Sequence, residues 1–208
     1  MARPRLHDLD GLLDAAEQLL AEGDDRAVTI RAVAERSGAS SGSLYHAFGS
    51  RNELLGQLWL RAARRFLELQ QNVVDAHLAA GSGWDGAVAA TVAAATVLRD
   101  LNETAPASAR VLIRHRREAL IADGLPNGLA GDLRDLDGEL LAVLRRLAHA
   151  LFGAAERQTI ETVAICVVDL PSALLDGRRP RSIDPAAALG AAVRGILNEA
   201  RDGLTHTD

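Results

Sequence analysis

Helix boundary signals recur along almost the whole chain, whereas signals for β-strands are nearly absent. Apolar residues within 9–20 recur every three or four positions, as they do on one face of a helix, and the pattern stops near Gly23. Thr29 can cap a short helix that ends at Gly38, and Ser40 can cap a second short helix. These signals predict an all-α chain.

Longer amphipathic helices are predicted after residue 50. Ser50 and Glu53 have capping-box spacing, in which the serine hydroxyl accepts the Glu53 N–H and the Glu53 carboxylate reaches back to the serine N–H. Pro171 falls inside one predicted helix, so a kink is expected there. We expect about nine helices in total. The later ones are predicted near residues 84–101, 106–121, 129–152, 154–176 and 184–201.

Length and composition narrow the class of protein. A chain of 208 residues can form one or two domains, and its net charge of −5 opposes bulk attraction to nucleic acid. The longest apolar run, residues 87–98, is shorter than the ~20 residues that span a membrane. The N-terminus lacks the apolar segment of a secretion signal, and the single Cys166 fits a reducing compartment. We therefore expect a cytoplasmic protein without membrane contact.

The stretch GASSGSLYHAFGS, residues 38–50, has an unusual composition for a helical chain. Serines and glycines crowd around Tyr45 and His46, and no acidic residue occurs between Arg36 and Asn52. A surface that docks on duplex DNA would exclude carboxylates, because phosphates repel them. Helix N-termini offer free N–H groups that bind phosphate. The stretch therefore suggests a small, focused DNA-binding surface.

The two short helices also have the residues of a helix-turn-helix. Ala34 is the small residue where the helix axes cross, Gly38 suits the turn, and Leu44 fills the gap from the second helix. With residues 12–23, which read L-x-x-A-A-x-x-L-L-x-E-G, the segment 29–55 resembles the TetR family of transcriptional repressors. The positions that match the family pattern are Thr29, Ala34, Gly38, Ser40, Gly42, Leu44, Tyr45, Phe48, Ser50, Leu54 and Leu55.

The resemblance implies a division of function and a set of DNA contacts. Residues 1–51 would form the DNA-binding domain, and residues 52–208 would form the effector-binding and dimerisation domain. The implied phosphate contacts are Thr29, Ser40, Tyr45, His46 and Arg51. The residues implied to enter the major groove near base edges are Ser41, Gly42 and Ser43. Arg3 and Arg5 could form a flexible arm that reaches the DNA backbone or the minor groove.

Three positions depart from the family pattern. Ser41 stands where the family often has lysine, and Arg51 replaces the usual lysine. Ala47 stands where an aromatic residue or histidine is usual. The loss of the lysine charge should weaken the salt-dependent part of DNA affinity. Short hydroxyls at 41 and 43 discriminate bases poorly, so water-mediated or shape readout would carry more of the specificity.

The remaining helices would form a dimer and a ligand site. The resemblance implies a homodimer through residues of about 154–176 and 184–201, whose many small side chains allow close helix approach. Two reading helices one DNA turn apart would recognise a near-palindromic operator. Packing within one core is the alternative use of the same residues. Candidate ligand-binding residues, which could equally be ordinary core or surface residues, are Trp59, Phe66, Trp84, His115 and Asp169.

We therefore predict a transcriptional repressor that releases double-stranded DNA when it binds a small apolar or amphipathic effector. The histidines and Cys166 lack metal-ligand spacing, so no metal and no cofactor is expected. No catalytic constellation stands out, so we do not expect an enzyme. Two alternatives remain open. One is a helical enzyme that retains a degenerate helix-turn-helix, and the other is an interaction module whose Ser41 has cost it DNA binding.

Overall fold

The computed structural model describes residues 6–23, 25–174 and 184–205, so Arg3 and Arg5 lie outside the described residues. The predicted all-α class is confirmed, since these described residues contain helices and no strand. A 3-10 turn occurs at Asp25–Ala27 and a π-helical turn at Ile165–Asp169. The α-helices are α1 (Leu6–Glu22), α2 (Ile30–Ser37), α3 (Ser41–Phe48), α4 (Arg51–Ala80), α5 (Gly83–Thr104), α6 (Pro106–Arg114), α7 (Arg117–Ala122), α8 (Asn127–Phe152), α9 (Arg157–Ala164), α10 (Leu170–Leu174) and α11 (Pro185–Thr205).

The helix predicted near residues 106–121 is divided into two. His115, with φ −110° and ψ 128°, and Arg116, with φ −86° and ψ 129°, are extended and separate α6 from α7. The carbonyl of His115 accepts a hydrogen bond of 3.0 Å from the indole N–H of Trp59. This bond gives the His115 carbonyl a hydrogen-bond partner outside the helix, which is a physical reason for the break between α6 and α7.

The helix predicted near residues 154–176 is interrupted before Pro171. Proline has no N–H and would leave the carbonyl of Val167 without its helical donor. The interruption is the π-helical turn, in which the N–H of Leu170 donates to the carbonyl of Ile165, five residues back. Such a turn inserts one extra residue into an α-helix. A predicted kink at Pro171 therefore corresponds to a local change of helix type.

The chain forms two compact units. One comprises Met1–Arg65 and Asn102–Leu136, and the other comprises Phe66–Leu101 and Asp137–Asp208. The boundaries between the two units therefore fall within α4, within α5 and within α8. The predicted boundary after residue 51 concerns function, and it stays a prediction.

The core of the first unit holds the helix-turn-helix in place. Val33, Leu44 and Phe48 are each completely buried, and Ala34 is buried beside them. Each large side chain contributes about 1.5–3 kcal/mol by leaving water. Buried residues of α1 and α4 in the same unit are Leu12, Leu13, Ala16, Leu20, Leu54, Leu55 and Leu58. The face of α3 that carries Leu44 and Phe48 is therefore buried, and the opposite face of the helix is exposed.

A polar network joins α1, α4 and α6 in this first unit. The guanidinium of Arg65 donates to Glu17 at 2.6 Å and to the hydroxyl of Ser108 at 3.0 Å. Ser108 is buried, and its hydroxyl lies 3.4 Å from the same Glu17 oxygen. Arg110 donates to the carbonyls of Leu20 and Gly23 at the end of α1. These bonds satisfy carbonyls that lack partners within the helix.

The second unit has a core rich in small side chains. Its α5 buries Gly86, Ala87, Ala90, Thr91, Ala94 and Ala95. At one end Trp84 packs edge to face on Phe152, with ring centroids 5.8 Å apart, and the guanidinium of Arg201 lies 4.7 Å from the Trp84 ring centre. In the part of the chain that the structure describes, no helix is both long and apolar enough to cross a membrane.

Candidate nucleic-acid interface

The turn between α2 and α3 has the predicted local geometry. Thr29 is extended and its hydroxyl accepts the N–H of Ala32 at 3.1 Å, which caps α2. Gly38 ends α2 with φ 72°, a left-handed conformation that costs glycine least. The predicted cap and turn glycine are therefore both present.

Ser40 caps α3 by a bond to the helix and a second bond to a side chain. Its hydroxyl oxygen accepts the N–H of Ser43 at 3.1 Å, and the two hydroxyl oxygens lie 2.8 Å apart. Neither α2 nor α3 has an acidic residue in its first turn. The positive end of each helix dipole therefore has no carboxylate in the first turn of its own helix, which suits the binding of a phosphate there.

The outer face of α3 carries the predicted contact residues. Tyr45 is 59% exposed, whereas its neighbour Leu44 is completely buried. The other exposed residues of α3 and its flanks are Ser40, Ser41, Gly42, Ser43, His46, Ala47 and Arg51. An exposed tyrosine between buried core positions offers a ring and a hydroxyl to a partner outside the chain.

Gly42 has no internal reason to be glycine among the described residues. Only the Ser40 hydroxyl oxygen lies near a Cβ built at Gly42, at the comfortable distance of 3.8 Å. Its backbone does not need a positive φ, unlike Gly38 and Gly49. A side chain at position 42 would therefore meet only what approaches α3 from outside.

The two arginines of the carboxylate-free stretch are engaged by the chain itself. Arg36 donates to both carboxylate oxygens of Glu22, at 2.8 and 2.5 Å. This hydrogen bond lowers the pKa of Glu22 and raises the pKa of Arg36. Arg51 donates from Nε to the carbonyl of Val28 at 2.8 Å, which fixes the start of α4 against the loop before α2. Sequence reasoning missed both bonds because no local pattern marks partners 14 or 23 residues away.

The capping box at the start of α4 is formed in one direction only. The N–H of Glu53 donates to the Ser50 hydroxyl at 3.1 Å, as predicted. The predicted return bond is replaced, because the N–H of Ser50 donates to the carbonyl of Phe48 at 2.5 Å. The Glu53 carboxylate lies beside Gly49, where an added Cβ would come within 2.8 Å of its oxygen. Burial raises the pKa of Glu53.

Comparisons with known proteins agree with this geometry. The family model of bacterial regulatory proteins, tetR family, matches residues 12–58, which contain α2, α3 and the start of α4. Residues 12–58 are therefore similar to the N-terminal region of TetR family regulators. No curated protein sequence matches the chain.

Solved structures extend the TetR likeness over the whole fold. The TetR family regulator PfmR of Thermus thermophilus has a TM-score of 0.60 at 16% identity, covering 90% of this chain and 97% of its own. The TetR family repressor AlkX of Dietzia sp. strain DQ12-45-1b has a TM-score of 0.56 at 20% identity, with 97% and 98% covered. The regulator FadR of Bacillus subtilis, solved with stearoyl-CoA, has a TM-score of 0.59 at 13% identity, with 90% and 97% covered. The chain thus has a TetR-like fold.

The five candidate ligand residues of this TetR-like chain do not form one cluster. Trp59 and His115 meet through their hydrogen bond in the first unit. Phe66, Trp84 and Asp169 belong to the second unit, where Phe66 and Trp84 are half-buried and Asp169 is exposed. Trp84 contacts Phe152 and Arg201 there. No three potential metal-ligating side chains gather at one point in the described ranges.

The helices predicted to pair two TetR-like chains combine buried and exposed residues. Leu189, Val193 and Leu197 of α11 are completely buried within the second unit. The opposite side of α11 presents small exposed residues, namely Ala187, Ala191 and Gly195. Ile165 in the π-helical turn is 43% exposed. Core packing therefore accounts for Leu189, Val193 and Leu197 of α11 and leaves Ala187, Ala191 and Gly195 uncovered.

Proposed function

We propose that the protein is a transcriptional repressor whose α2 and α3 bind the backbone and major groove of duplex DNA. The observation that carries this proposal is the open face of α3. Two capped helix N-termini without a first-turn acid flank this exposed face, which includes Tyr45. Phosphates are bound by such N-termini and by exposed hydroxyl groups.

The contact residues divide into two roles under this proposal. Thr29, Ser40, Tyr45, His46 and Arg51 hold phosphates and set the position of the protein on DNA. Ser41, Gly42 and Ser43 approach the base edges, where close contact of the backbone and bridging water molecules carry the specificity. The bond from Arg51 to Val28 supports this reading, because it fixes the position of the arginine beside the N-terminus of α2.

A homodimer is the proposed functional form. The exposed Ile165 and the small residues Ala187, Ala191 and Gly195 would be covered by a second copy through α9, α10 and α11. Small side chains allow two helix backbones to approach closely. Two copies would place two α3 helices in successive major grooves, about 34–36 Å apart, on a near-palindromic operator. The protein would act in the cytoplasm, where that DNA lies.

A small apolar or amphipathic effector would release the operator. The Bacillus subtilis regulator with the same fold was solved with stearoyl-CoA, an amphipathic ligand. Release follows if the effector binds more tightly to a dimer whose reading helices are wrongly spaced for DNA. The effector shifts the two populations by its difference in affinity for them.

The test is binding of the purified protein to DNA upstream of its own coding sequence. Combined Ser43→Ala and Tyr45→Ala replacement should weaken binding by at least roughly 10- to 100-fold, because the loss of the Tyr45 contact to a charged phosphate alone costs about 1.5–3 kcal/mol. Both side chains are exposed, so circular dichroism and the urea midpoint should stay close to those of the original protein.

A matched control carries Ser82→Ala and Ile113→Ala, which are also exposed positions but do not belong to the helix-turn-helix. The control should bind DNA as the original protein does. Undiminished binding by the Ser43 and Tyr45 variant would refute the site. Failure of the original protein to shift any duplex at ~50 mM salt, where phosphate contacts are strongest, would refute the function.

A further inference from the structure

Gln70 is a buried side chain with one unsatisfied atom. It lies on α4 in the second unit and is completely buried. Its amide NH₂ donates to the carbonyl of Ala94 on α5 at 3.1 Å. Only the NH₂ end of an amide can donate to a carbonyl, so this bond fixes which end faces Ala94. The Oε1 atom, at the other end, accepts no hydrogen bond from the described part of the chain.

An unsatisfied acceptor in a core is costly. Burial removes water from the oxygen, and the lost hydrogen bonds are not replaced. Most buried polar side-chain atoms have a partner, so an exception calls for a physical reason. The neighbouring Gln71 on α4 is only partly buried and shows no such atom, which makes it a useful comparison.

The buried face of the helix opposite Gln70 is rich in small side chains, and its threonine hydroxyl is already engaged. The buried face of α5 includes Ala87, Ala90 and Ala94. The buried hydroxyl on this face, that of Thr91, donates to the carbonyl of Ala87 at 2.8 Å. The Thr91 proton is therefore already used. What Oε1 of Gln70 lacks is a hydrogen-bond donor, and the buried residues of α5 next to Ala94 in the helix include the small Ala90 and Ala95.

We propose that Gln70 and the alanine face of α5 form a closed binding site for a compact apolar molecule that carries one hydroxyl or N–H group. That group donates to Oε1 of Gln70, while the apolar part packs on the alanines. A carboxylate is a poor occupant, because it brings acceptors and a charge to a site that needs a donor. As the effector site of the repressor, this assignment rests on the proposed function, but the binding itself can be measured without DNA.

Two isomeric probes separate the hydrogen bond from apolar burial. 1-Hexanol and methyl pentyl ether have the same atoms and similar apolar area, but only the alcohol can donate a hydrogen bond. Titration calorimetry with the full-length protein should show the alcohol binding on the order of tenfold more tightly than the ether, as one extra hydrogen bond in a buried site implies. Bound alcohol should also raise the thermal midpoint.

Gln70→Met is the decisive variant, because methionine has a similar length and no strong acceptor. It should bind the two isomers with nearly equal affinity. Gln71→Met makes the same chemical change one residue away, and it should keep the preference of the original protein for the alcohol. If Gln70→Met fails to fold, the comparison of the two isomers on the original protein still decides the question.

Equal affinity of the original protein for both isomers would overturn the site, as would absence of any alcohol binding up to its solubility. Retention of the full preference in Gln70→Met would also overturn it. DNA binding is scored separately with the upstream duplex. Preference for the alcohol without duplex binding would support the site at Gln70 and refute the proposed repressor function. Duplex binding without preference for the alcohol would refute the site and leave the proposed repressor function standing.

Discussion

Replacing Gly42 by alanine should change folding stability and DNA affinity in opposite directions. Gly42 is the second residue of α3, and a Cβ built there has only the Ser40 hydroxyl oxygen nearby, at 3.8 Å. No clash arises within the described chain. Alanine is favoured over glycine in a helix by roughly 0.5–1 kcal/mol. The variant should therefore be more stable by up to about 1 kcal/mol, which raises the thermal midpoint of a chain of this size by about 2–4 °C.

DNA affinity should fall in the same variant. If α3 lies with its first turn against the bases, the added methyl group projects into space that the DNA occupies. An extra methyl group in a closely packed interface typically costs about 1–3 kcal/mol. The dissociation constant for the upstream duplex should then rise by roughly 5- to 150-fold.

Urea unfolding and fluorescence anisotropy of a labelled duplex measure the two effects. Gly138→Ala on α8 is the matched control, because Gly138 is exposed and its added Cβ meets nothing within 4 Å. That control should gain stability and keep its DNA affinity. If Gly42→Ala binds DNA as tightly as the original protein, the backbone at this residue does not approach DNA closely, and the assigned orientation of α3 is wrong.

Three further outcomes follow from single contacts. Ser40→Ala should lose about 1 kcal/mol of unfolding free energy with the cap on the Ser43 N–H, and an unchanged urea midpoint would contradict this. The hydrogen bond from Arg36 holds the pKa of Glu22 below its ordinary value of 4.5, so the stability from this pair is present above pH 4.5 and is lost as the pH falls through the lower folded pKa. Glu22→Gln should therefore lose less stability on acidification than the original protein, measured by urea midpoints above pH 4.5 and below the folded pKa. Burial raises the pKa of the Cys166 thiol to about 11, so iodoacetamide should label it only after urea unfolding, and rapid labelling of the folded protein would place it at the surface.

Local patterns explain why the helix-turn-helix could be predicted from the sequence. The cap at Thr29 acts over three residues, and so does the cap at Ser40. The left-handed backbone conformation at Gly38 could be predicted from the residue itself, because glycine adopts a positive φ at little cost. The apolar spacing of Leu44 and Phe48 is set by the helical repeat. Each of these features is contained in a short stretch, so tertiary structure adds little to it.

Features that depend on distant partners were missed. Nothing near His115 shows that its carbonyl accepts a bond from Trp59, 56 residues earlier, and so the break between α6 and α7 was predicted as continuous helix. The pairing of Arg36 with Glu22 was likewise hidden. The unsatisfied oxygen of Gln70 is also invisible in the sequence, because burial depends on helices that meet only after folding.

The network on α1 shows why a DNA-binding motif need not coincide with a folding unit. The motif ends near residue 51, but the partners that hold α1 come later in the chain, from Arg65 on α4 and from Ser108 and Arg110 on α6. Removing them would leave Glu17 without the hydrogen bonds from Arg65 and Ser108, and would leave the end of α1 without the donor to its carbonyls. The reading helix α3 is supported by a core to which α1 contributes. The stability of the DNA-binding surface therefore depends on α6, and a change in α6 can alter that surface without touching the motif.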